Sequence, residues 1–269
     1  MIRNLSAVTV ISLALIGSAR AAEGGTEAQF LMARETSVET AFRAQLGVGW
    51  LGKPGLTGGR GSPITNYFGV EYAMTPDWEI SIGLPLAGTL SKGPDDYGIG
   101  NIVIGAKYVT PFDRFRFAVG ADVALPTAQT GARLGTFLRP VVSYAKDQAA
   151  ISPYVAVSYI RDRLTFSLDL GNDLQIFTKS DPSRDKIEDI ISYDAAVAMS
   201  IDQNLWGTVE MGGYSTISGG NKQTELYAGP GFRFQDYEMS FGVHLLAPFR
   251  QPARGVFGLL IVGDFRVIF

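Results

Sequence analysis

The last strand-like stretch of the chain, from Phe257 to Phe269, constrains the fold more than any other part of the sequence. Apolar side chains recur there at alternate positions, at Phe257, Leu259, Ile261, Phe265, Val267 and Phe269. A period of two is typical of a β-strand with one apolar face and one mixed face. The mixed face carries Asp264 and Arg266, which a dry protein core would not readily accept. An outer-membrane barrel accommodates both faces, because lipid meets the apolar side and a polar lumen meets the charged side.

The end of this strand carries a second indication, because the sequence stops on the aromatic residue Phe269. A terminal strand that ends in Phe resembles the signal by which the outer-membrane assembly machinery recognises its barrels. We therefore expect the barrel assembly machinery to bind the chain through this strand, and outer-membrane lipid to surround the folded protein. An ordinary C-terminal strand of a soluble sheet is the alternative.

The first residues have the pattern of an export signal. Arg3 supplies a positive charge, Leu5 to Ile16 is an apolar run broken only by Ser and Thr, and Ala19 and Ala21 suit a signal peptidase. We expect residues 1–21 to be a signal peptide that is removed. A spanning helix needs roughly twenty apolar residues, and this run is shorter. No later stretch of the sequence is long enough either, so a closed barrel is the remaining way to cross a membrane.

Composition agrees with a barrel and argues against several other classes. The chain has no cysteine, so an exported protein of this sequence has no disulfide framework. Its 32 Gly, 16 Phe, 11 Tyr and 3 Trp, against a charged fraction of 18%, suit short strands with aromatic girdles better than helices. The formal net charge of −3 gives no reason to expect nucleic-acid binding.

Alternation continues along most of the chain and predicts strands joined by hairpins. The clearest hairpin joins Tyr67–Met74 to Trp78–Leu86 through Thr75-Pro76-Asp77, where turn residues and period-2 alternation coincide. Four more tight connections have this character, at 111–113, 161–163, 202–204 and 235–236. Longer connections rich in Gly, Pro and charge alternate with them, at 51–63, 87–98 and 248–255. Such alternation is typical of short periplasmic turns and long extracellular loops.

These elements predict an all-β fold, a transmembrane antiparallel up-and-down β-barrel of about twelve strands over residues 37–269. Two stretches leave the count open, since 136–144 and 174–177 could each be a strand, which would give about fourteen. We favour twelve, because fourteen would make 161–163 an extracellular turn and leave a very short strand after Gly171.

The charged residues of the predicted strands all fall on the phase opposite to the apolar one. They are Arg43, Glu71, Glu79, Lys107, Arg116, Asp122, Asp169, Asp194, Glu210, Glu225, Arg233, Glu238, Asp264 and Arg266. An Arg or Lys on the lipid face at the bilayer midplane costs roughly 2–4 kcal/mol, so a membrane gives this segregation a physical cause. We predict that these residues line the lumen. Their excess of carboxylates predicts a mild cation preference, and pairing across strands predicts a narrow lumen of small conductance.

Three further residues share the inward phase. Trp206 and Tyr214 flank Glu210 on one strand and are the candidates for stacking on an aromatic solute. His244 is the only histidine, and outer-membrane lipases and deacylases pair such a residue with a serine nucleophile. Ser240 lies four residues back, roughly 13 Å away at about 3.3 Å per residue, which is too far for direct proton transfer. We expect His244 to line the lumen and no residue to be catalytic.

Metals and cofactors are not expected. With no cysteine, one histidine and carboxylates spread over separate strands, no metal-ligand cluster is indicated. Gly98 and Gly100 precede no capped helix, so they do not indicate nucleotide binding. The aromatic residues near strand ends predict interfacial girdles on or beside the lipid phase. They are Trp50, Tyr67, Tyr72, Trp78, Tyr108, Phe115, Tyr159, Tyr193 and Tyr237.

Residues 22–36, which precede the first predicted strand, lack clear alternation. They include three consecutive large apolar side chains, Phe30, Leu31 and Met32. The pattern is compatible with a disordered periplasmic lead, with a short helix, or with a segment folded into the lumen as a plug. A plug would decide whether a solute can pass, because a barrel of about twelve strands is intermediate between filled and open barrels.

One region resembles a known family. Residues 97–108 read YGIGNIVIGAKY, and Leu125-Pro126-Thr127 and the Gly-containing residues 131–135 follow. They resemble the outer-membrane family of the meta-pathway of phenol degradation, whose members carry a Gly-Asp or Gly-Asn, hydrophobic, Gly-x-Lys-Tyr strand and then Leu-Pro-Thr-Gly. Gly105 to Tyr108 keeps the Gly-x-Lys-Tyr portion, and Ala128 stands where the family has glycine. The resemblance implies a small barrel associated with uptake of hydrophobic or aromatic compounds, without assigned catalytic or binding residues.

The expected function is therefore that of a channel or transporter in the outer membrane of a Gram-negative bacterium. Its solutes would be small, hydrophobic or aromatic molecules that enter passively. The alternatives are a barrel enzyme that acts on lipid, a structural or adhesin barrel without transport, and a porin for polar solutes.

Overall fold

The computed structural model describes residues 29–50, 62–89, 97–129, 141–178, 187–218, 224–249 and 258–269. Its strands, in chain order, are β1 (Ala41–Trp50), β2 (Pro63–Ala73), β3 (Trp78–Thr89), β4 (Gly98–Ile99), β5 (Val103–Phe112), β6 (Phe115–Ala124), β7 (Gln148–Arg161), β8 (Leu164–Phe177), β9 (Ile187–Ser200), β10 (Leu205–Ser218), β11 (Thr224–Gln235), β12 (Met239–Pro248) and β13 (Leu259–Ile268). A short 3-10 helix occupies Val141–Tyr144. No helix in these ranges is long and apolar enough to span a membrane.

The strands close into a ring. Neighbours in the chain pair antiparallel from β5 to β13, β13 pairs with β1, and β1 connects through β2 to β3. Strand β3 pairs with β5, which completes a closed barrel of twelve strands, and the two-residue β4 pairs with β3 beyond β5. The antiparallel up-and-down barrel and the count of twelve are thus confirmed.

The fourteen-strand alternative is wrong. Residues 174–177 are the end of β8, because Leu174 pairs with Ile151 and Phe177 pairs with Gln148 on β7. The other candidate strand, 136–144, ends in the 3-10 helix, and its first five residues lie outside the described ranges.

The chain alongside β3 is divided at Asn101, between β4 and β5. The side chain of Asn101 is fully buried, and its Nδ2 donates to the carbonyl oxygens of Ala145 at 2.8 Å and Gln148 at 3.3 Å. Its Oδ1 accepts from the amide of Ala128 at 2.8 Å. These bonds tie Asn101 to the first residue of β7 and to two residues outside the strands, so β4 and β5 remain separate pieces along the edge of β3.

The two ends of the barrel differ in their connections. At one end, which we call the turn end, the strands are joined at 74–77, 113–114, 162–163, 201–204 and 236–238. The first strand begins and the last strand ends at this same end, because Ala41 pairs with Ile268. At the opposite end, which we call the loop end, the connections include the segments outside the described ranges. This arrangement follows the predicted alternation of short and long connections.

The outer surface is apolar, as expected for a wall that meets lipid. Large apolar side chains project outward from every long strand, and Leu168, Val209 and Phe232 each keep more than half of their surface exposed. Aromatic rings gather towards the turn end, where the ring centroids of Trp78 and Tyr108 lie 5.1 Å apart. The rings of Phe115 and Tyr159 are 5.0 Å apart. These contacts are typical of an interfacial girdle.

One residue predicted for the girdle faces the interior instead. Tyr67 lies over the bare inner wall at Gly69 and Gly83, where a Cβ on Gly83 would stand 2.2 Å from the Tyr67 hydroxyl oxygen. The ring occupies the space that two missing side chains leave open. Tyr67 shares the inner face of its strand with Glu71, and the space for its ring arises because Gly69 pairs with Gly83 across β2 and β3.

We predict that charge on the lipid face destabilises the barrel according to depth. Met211 lies near the middle of β10 and is 53% exposed, whereas Tyr237 lies in a turn and is 89% exposed. Met211→Arg should lower the free energy of unfolding by about 2–4 kcal/mol and Tyr237→Arg by about 0–1 kcal/mol. Denaturant titration of the protein folded in lipid vesicles measures both values. Equal effects of the two substitutions would contradict a lipid-embedded wall.

Candidate functional site

The residues before β1 lie inside the barrel. Residues 29–39, which we call the N-terminal segment, form no helix, and the side chains of Phe30 and Thr36 are fully buried. The segment crosses the lumen in an irregular conformation, so its backbone amides need partners that a regular element would have supplied. The barrel wall provides them.

Carboxylates on three strands accept these backbone N–H groups. Glu210 on β10 accepts from Leu31 at 2.9 Å and from Met32 at 2.6 Å. Asp169 on β8 accepts from the amide of Arg34 at 2.8 Å. Farther along, Glu79 on β3 accepts from the amide of Glu39 at 3.1 Å. Bonds to ionised acceptors are about twice as strong as neutral ones, so these three residues hold the path of the segment.

Apolar packing fixes the first part of the segment. Phe30 and Ala33 cluster with Ala196, Ala198 and Trp206 on the inner wall. Trp206 is therefore only 7% exposed. Its ring packs in this cluster and borders a pocket among the turn residues Gln203 and Asn204, away from the loop end of the barrel. Tyr214, its predicted companion, does border open space.

Arg34 anchors the middle of the segment to β6 and β7, which lie four and three strands away from β10 around the ring. Its guanidinium lies 2.5 Å from the Asp122 carboxylate on β6 and 3.7 Å from the centre of the Tyr154 ring. Such a cation over an aromatic face is attracted by the ring quadrupole. The segment is thus held on both sides of the lumen, by Arg34 on one and by the contacts of Phe30 to Met32 on the other.

Arg266 is the centre of the largest ion cluster. It contacts the carboxylates of Glu35 and Glu71 and lies 3.3 Å from Glu39. Its side chain is 1% exposed. Burial opposes ionisation of Glu35, yet Arg266 and Arg43 together hold its pKa below the ordinary value. For Glu39 burial prevails and raises the pKa, because its contact with Arg266 offsets the burial only in part.

A second cluster surrounds the only histidine. His244 is fully buried, with Nδ1 3.2 Å from Glu210 and Nε2 3.6 Å from Asp264. Asp264 also accepts two bonds of 2.8 Å from Arg233. The Ser240 hydroxyl is occupied elsewhere, since it accepts from Arg233 at 2.9 Å and donates to Gln29. His244 therefore faces carboxylates, and its geometry is not that of a serine–histidine pair.

Seventeen residues were predicted to line the lumen; apart from Glu225 and Glu238, eleven of them are buried on the inner phase of their strands. They are Glu79, Lys107, Asp169, Asp194, Trp206, Glu210, Tyr214, Arg233, His244, Asp264 and Arg266. The other four, Arg43, Glu71, Arg116 and Asp122, are half-buried on the same phase. Glu225 is also buried, and it accepts a hydrogen bond from the Tyr227 hydroxyl. Glu238 differs, because it is exposed in the turn 236–238, and its assignment to the lumen was wrong.

Sequence reasoning missed the partners that the N-terminal segment supplies. Gln29, Arg34, Glu35 and Glu39 all contact charged or polar wall residues, yet they lie in a stretch without periodicity. Their partners are far away in the chain, with 231 positions between Glu35 and Arg266. The sequence offered one indication of these contacts, which is the high density of polar residues just before the first predicted strand.

An open cavity of about 280 Å³ remains between the N-terminal segment and the loop end. Leu31, Met32 and Arg34 form its floor. Its wall on β10 to β13 is apolar, and the residues there are Tyr214, Tyr227, Leu246, Leu260 and Val262. The rest of the wall is mainly polar and includes Gln45, Thr65, Tyr67, Ser81, Asp122, Ser143, Ser152, Ser192 and Asp194. The cavity can thus hold a molecule with one apolar side and one side that forms hydrogen bonds.

The chain matches a family model and several solved structures. The model described as "Putative MetA-pathway of phenol degradation" matches residues 65–244, about two thirds of the chain. An outer-membrane channel from Pseudomonas putida F1 is similar with a TM-score of 0.56 and 10% identity, covering 93% of this chain and 100% of its own. The NanC porin has a TM-score of 0.55 and 11% sequence identity, and the match covers 86% of this chain and 98% of the porin. The KdgM porin in complex with disordered oligogalacturonate has a TM-score of 0.51 and 10% sequence identity. The match covers 86% of this chain and 99% of the porin.

No curated protein has a significant sequence match to the chain. The similarity to solved structures is one of fold, because the identities are near one in ten. The chain has the fold of Gram-negative outer-membrane channels, and its apolar exterior is that of a barrel embedded in the outer membrane.

We predict that Arg266 is essential for stability. Arg266→Met leaves Glu35, Glu39 and Glu71 without their shared cation, and breaking a buried pair in this way costs about 3–5 kcal/mol. Arg161→Met is the matched control, because Arg161 lies 3.9 Å from Asp162 in an exposed turn and should change stability by at most about 1 kcal/mol. Denaturant titration in lipid vesicles compares the two. Similar midpoints would show that the cluster around Arg266 does not stabilise the barrel.

Proposed function

Because the chain belongs to the family described as "Putative MetA-pathway of phenol degradation", we propose that it takes up small hydrophobic or aromatic molecules passively across the outer membrane. The observation that carries this proposal is the cavity at the loop end, with its apolar wall on β10 to β13 and its polar wall opposite. Ligand sites are commonly concave and mostly apolar, with a few polar groups that fix orientation.

The lining of the cavity favours a particular kind of solute. Tyr214 and Tyr227 offer aromatic surface, and Leu246 and Leu260 extend it. The facing wall has hydroxyl groups that can donate to or accept from a polar substituent, beside the charged side chains of Arg43, Asp122 and Asp194. A compact aromatic ring with one or two hydroxyl groups meets both requirements.

The N-terminal segment acts as a plug in this proposal. Beneath the cavity the lumen is occupied by Phe30 and by the clusters around Arg266 and His244, all of them nearly inaccessible to solvent. A solute that enters from the loop end therefore reaches the cavity but meets a closed floor. Uptake then includes binding in the cavity, followed by a conformational change that releases the solute.

The same proposal treats the protein as a transporter and not as an enzyme. The lipid-hydrolysis alternative relied on His244, which is fully buried between Glu210 and Asp264 beneath the cavity. Lipid has no access to it there. The Ser240 hydroxyl, on the same strand as this imidazole, is bonded to Arg233 and Gln29 instead.

Two partners follow from the outer surface. Outer-membrane lipid would contact the apolar exterior, and the barrel assembly machinery would recognise the last strand. Phe269 is 64% exposed at the end of β13, where this strand meets β1 and closes the ring. A recognition element at the closing seam would be accessible until the first strand pairs with it.

We predict that filling the cavity stops uptake. Thr65 borders the cavity on β2, whereas Thr110 is exposed on the outer face of β5. In cells with an intact outer membrane, Thr65→Trp should reduce the uptake of phenol, p-cresol and naphthalene to the level of cells without the protein. Thr110→Trp should leave uptake unchanged, because outward aromatic side chains suit the lipid interface.

A panel of sugars and aromatic acids tests the solute class in the same assay. Faster uptake of sugars than of phenols by the wild-type protein would favour a polar-solute porin. If none of the compounds entered faster than in cells without the protein, a structural role would replace the proposed one.

A further inference from the structure

Part of the cavity wall at the loop end is built by residues that belong to no strand. The 3-10 helix Val141–Tyr144 precedes β7 and lies against the inner face of β3, where Tyr144 packs on Ala87. Ser143 and Tyr144 both border the cavity, and each is only 2% exposed. The end of the connection from β6 to β7 therefore lies inside the mouth of the barrel and covers part of its inner wall.

This helix supplies hydroxyl groups to the cavity. The Tyr144 hydroxyl is hydrogen-bonded to the side chain of Thr65 on β2, which borders the cavity as well. Two hydroxyl groups that are bonded to each other use one of their two hydrogens, so the pair keeps a donor and free lone pairs for a third partner. The neighbouring Ser143 adds a third hydroxyl. A solute at this wall thus meets groups that can both donate and accept.

Asn101 holds the helix and the residues after it in place. Its backbone N–H donates to the carbonyl oxygen of Ser143 at 2.6 Å, and its Nδ2 donates to that of Ala145 at 2.8 Å. A third bond, of 3.3 Å, reaches the carbonyl oxygen of Gln148, the first residue of β7. One fully buried residue therefore fixes the chain at three points between 143 and 148.

Asn101 is itself held by the residues that follow β6. Its Oδ1 accepts from the amide of Ala128 at 2.8 Å. The Thr127 hydroxyl donates to the carbonyl oxygen of Gly100 and accepts from the amide of Ile102, both at 2.9 Å. We call Gly100, Asn101, Ile102, Thr127 and Ala128 the loop-end cluster. Its bonds fix the backbone on both sides of Asn101 as well as the side chain.

The contact between the loop-end cluster and the helix requires a glycine at position 100. A Cβ on Gly100 would stand 2.3 Å from the carbonyl oxygen of Ser143 and 2.9 Å from the Pro85 ring. The backbone at Gly100 therefore lies directly against the helix, with no side chain between them. This close approach brings the Ser143 carbonyl within reach of the Asn101 N–H.

We propose that Asn101 is a positioning residue that makes the cavity selective for solutes with a hydroxyl group, because it holds Ser143 and Tyr144 at the cavity wall. This inference rests on the proposed uptake function and adds which residues recognise the hydroxyl group and what holds them. Asn101 does not itself border the cavity, so it acts through the helix. A site built to bond a hydroxyl group disfavours an analogue without one, since its own polar groups then lose a partner.

Phenol and toluene test the inference, because the methyl group of toluene replaces the hydroxyl of phenol at nearly the same size. For each solute at low concentration, protein-dependent uptake is the rate above that of cells without the protein. The ratio of the two rates is independent of the amount of folded protein. Wild-type protein should take up phenol roughly two to ten times faster than toluene, as expected for one net hydrogen bond.

Replacing Asn101 should remove this preference. Asn101→Leu keeps the approximate size of the side chain and deletes its hydrogen bonds, so phenol uptake should slow to the rate of toluene, while toluene uptake stays near that of the wild type. Asn172→Leu is the matched control, because Asn172 donates to Asp189 at 2.6 Å near the same end of the barrel without bordering the cavity. Its ratio should equal that of the wild type.

A second variant tests the hydroxyl groups without touching the loop-end cluster. Ser143→Ala should lower the ratio of phenol to toluene uptake. Ser158→Ala should not, because Ser158 is bonded to Ser167 at 3.1 Å on the inner wall outside the cavity. Heat-modifiable gel mobility shows which variants are folded.

The outcomes separate this inference from the proposed function. An unchanged ratio in a folded Asn101→Leu protein, or in Ser143→Ala if Asn101→Leu does not fold, would overturn the inference and leave the proposed function intact. Equal uptake of phenol and toluene by the wild-type protein would do the same. Absence of protein-dependent uptake of both solutes would overturn the proposed function, and the inference with it.

Discussion

Charged side chains on the strands of this barrel can be accommodated only on the face that lines the lumen. Lipid surrounds the outside, and an ionised side chain there is costly at the depth of the bilayer core. The strands therefore turn their carboxylates and cations inward, where Arg233, Arg266, Glu210 and Asp264 become almost completely buried. Buried charges need partners. The N-terminal segment provides many of them, so the filling of the lumen is a consequence of the way the wall is built.

The same constraint explains why the open space lies at the loop end. In the middle of the barrel, the ion clusters and Phe30 fill the lumen with buried side chains. Towards the loop end the inner residues on β10 to β13 become apolar, with Tyr214, Tyr227, Leu246 and Leu260 in place of charges. The Tyr227 hydroxyl donates to Glu225 on the same strand, so this apolar wall requires no ion pair with the N-terminal segment. Along the barrel axis, the lining of the lumen thus changes from ionic side chains to apolar ones. The cavity proposed to bind the solute lies on the loop-end side of this change.

The strands could be predicted from the sequence because apolar residues on the lipid face alternate with polar or charged residues on the lumen face. Asp169 on β8, Glu210 on β10 and Arg266 on β13 alternate with apolar residues, which predicted that they face the lumen. The structure places them there, and they are buried. Positions that depend on register were not predictable. Tyr67 fits the space at Gly69 and Gly83 only because those two glycines are paired across neighbouring strands.

The N-terminal segment was beyond prediction for a different reason. Its residues have no period, and its partners lie as far as 231 positions away, as between Glu35 and Arg266. Of the alternatives that the sequence left open, only the tertiary structure could distinguish a free lead from a segment inside the barrel. Trp206 illustrates the consequence, since a side chain on the correct face packs with Phe30 in place of a solute.

The central claim is that the N-terminal segment closes the lumen, and single-channel recording in planar bilayers tests it most directly. The full chain should give a small conductance with a mild cation preference at low salt, because inward carboxylates outnumber inward cations and most are paired. A variant without residues 29–36 should give a clearly larger conductance with a stronger cation preference. Identical conductance of the two proteins, or anion preference in the shortened one, would contradict the account.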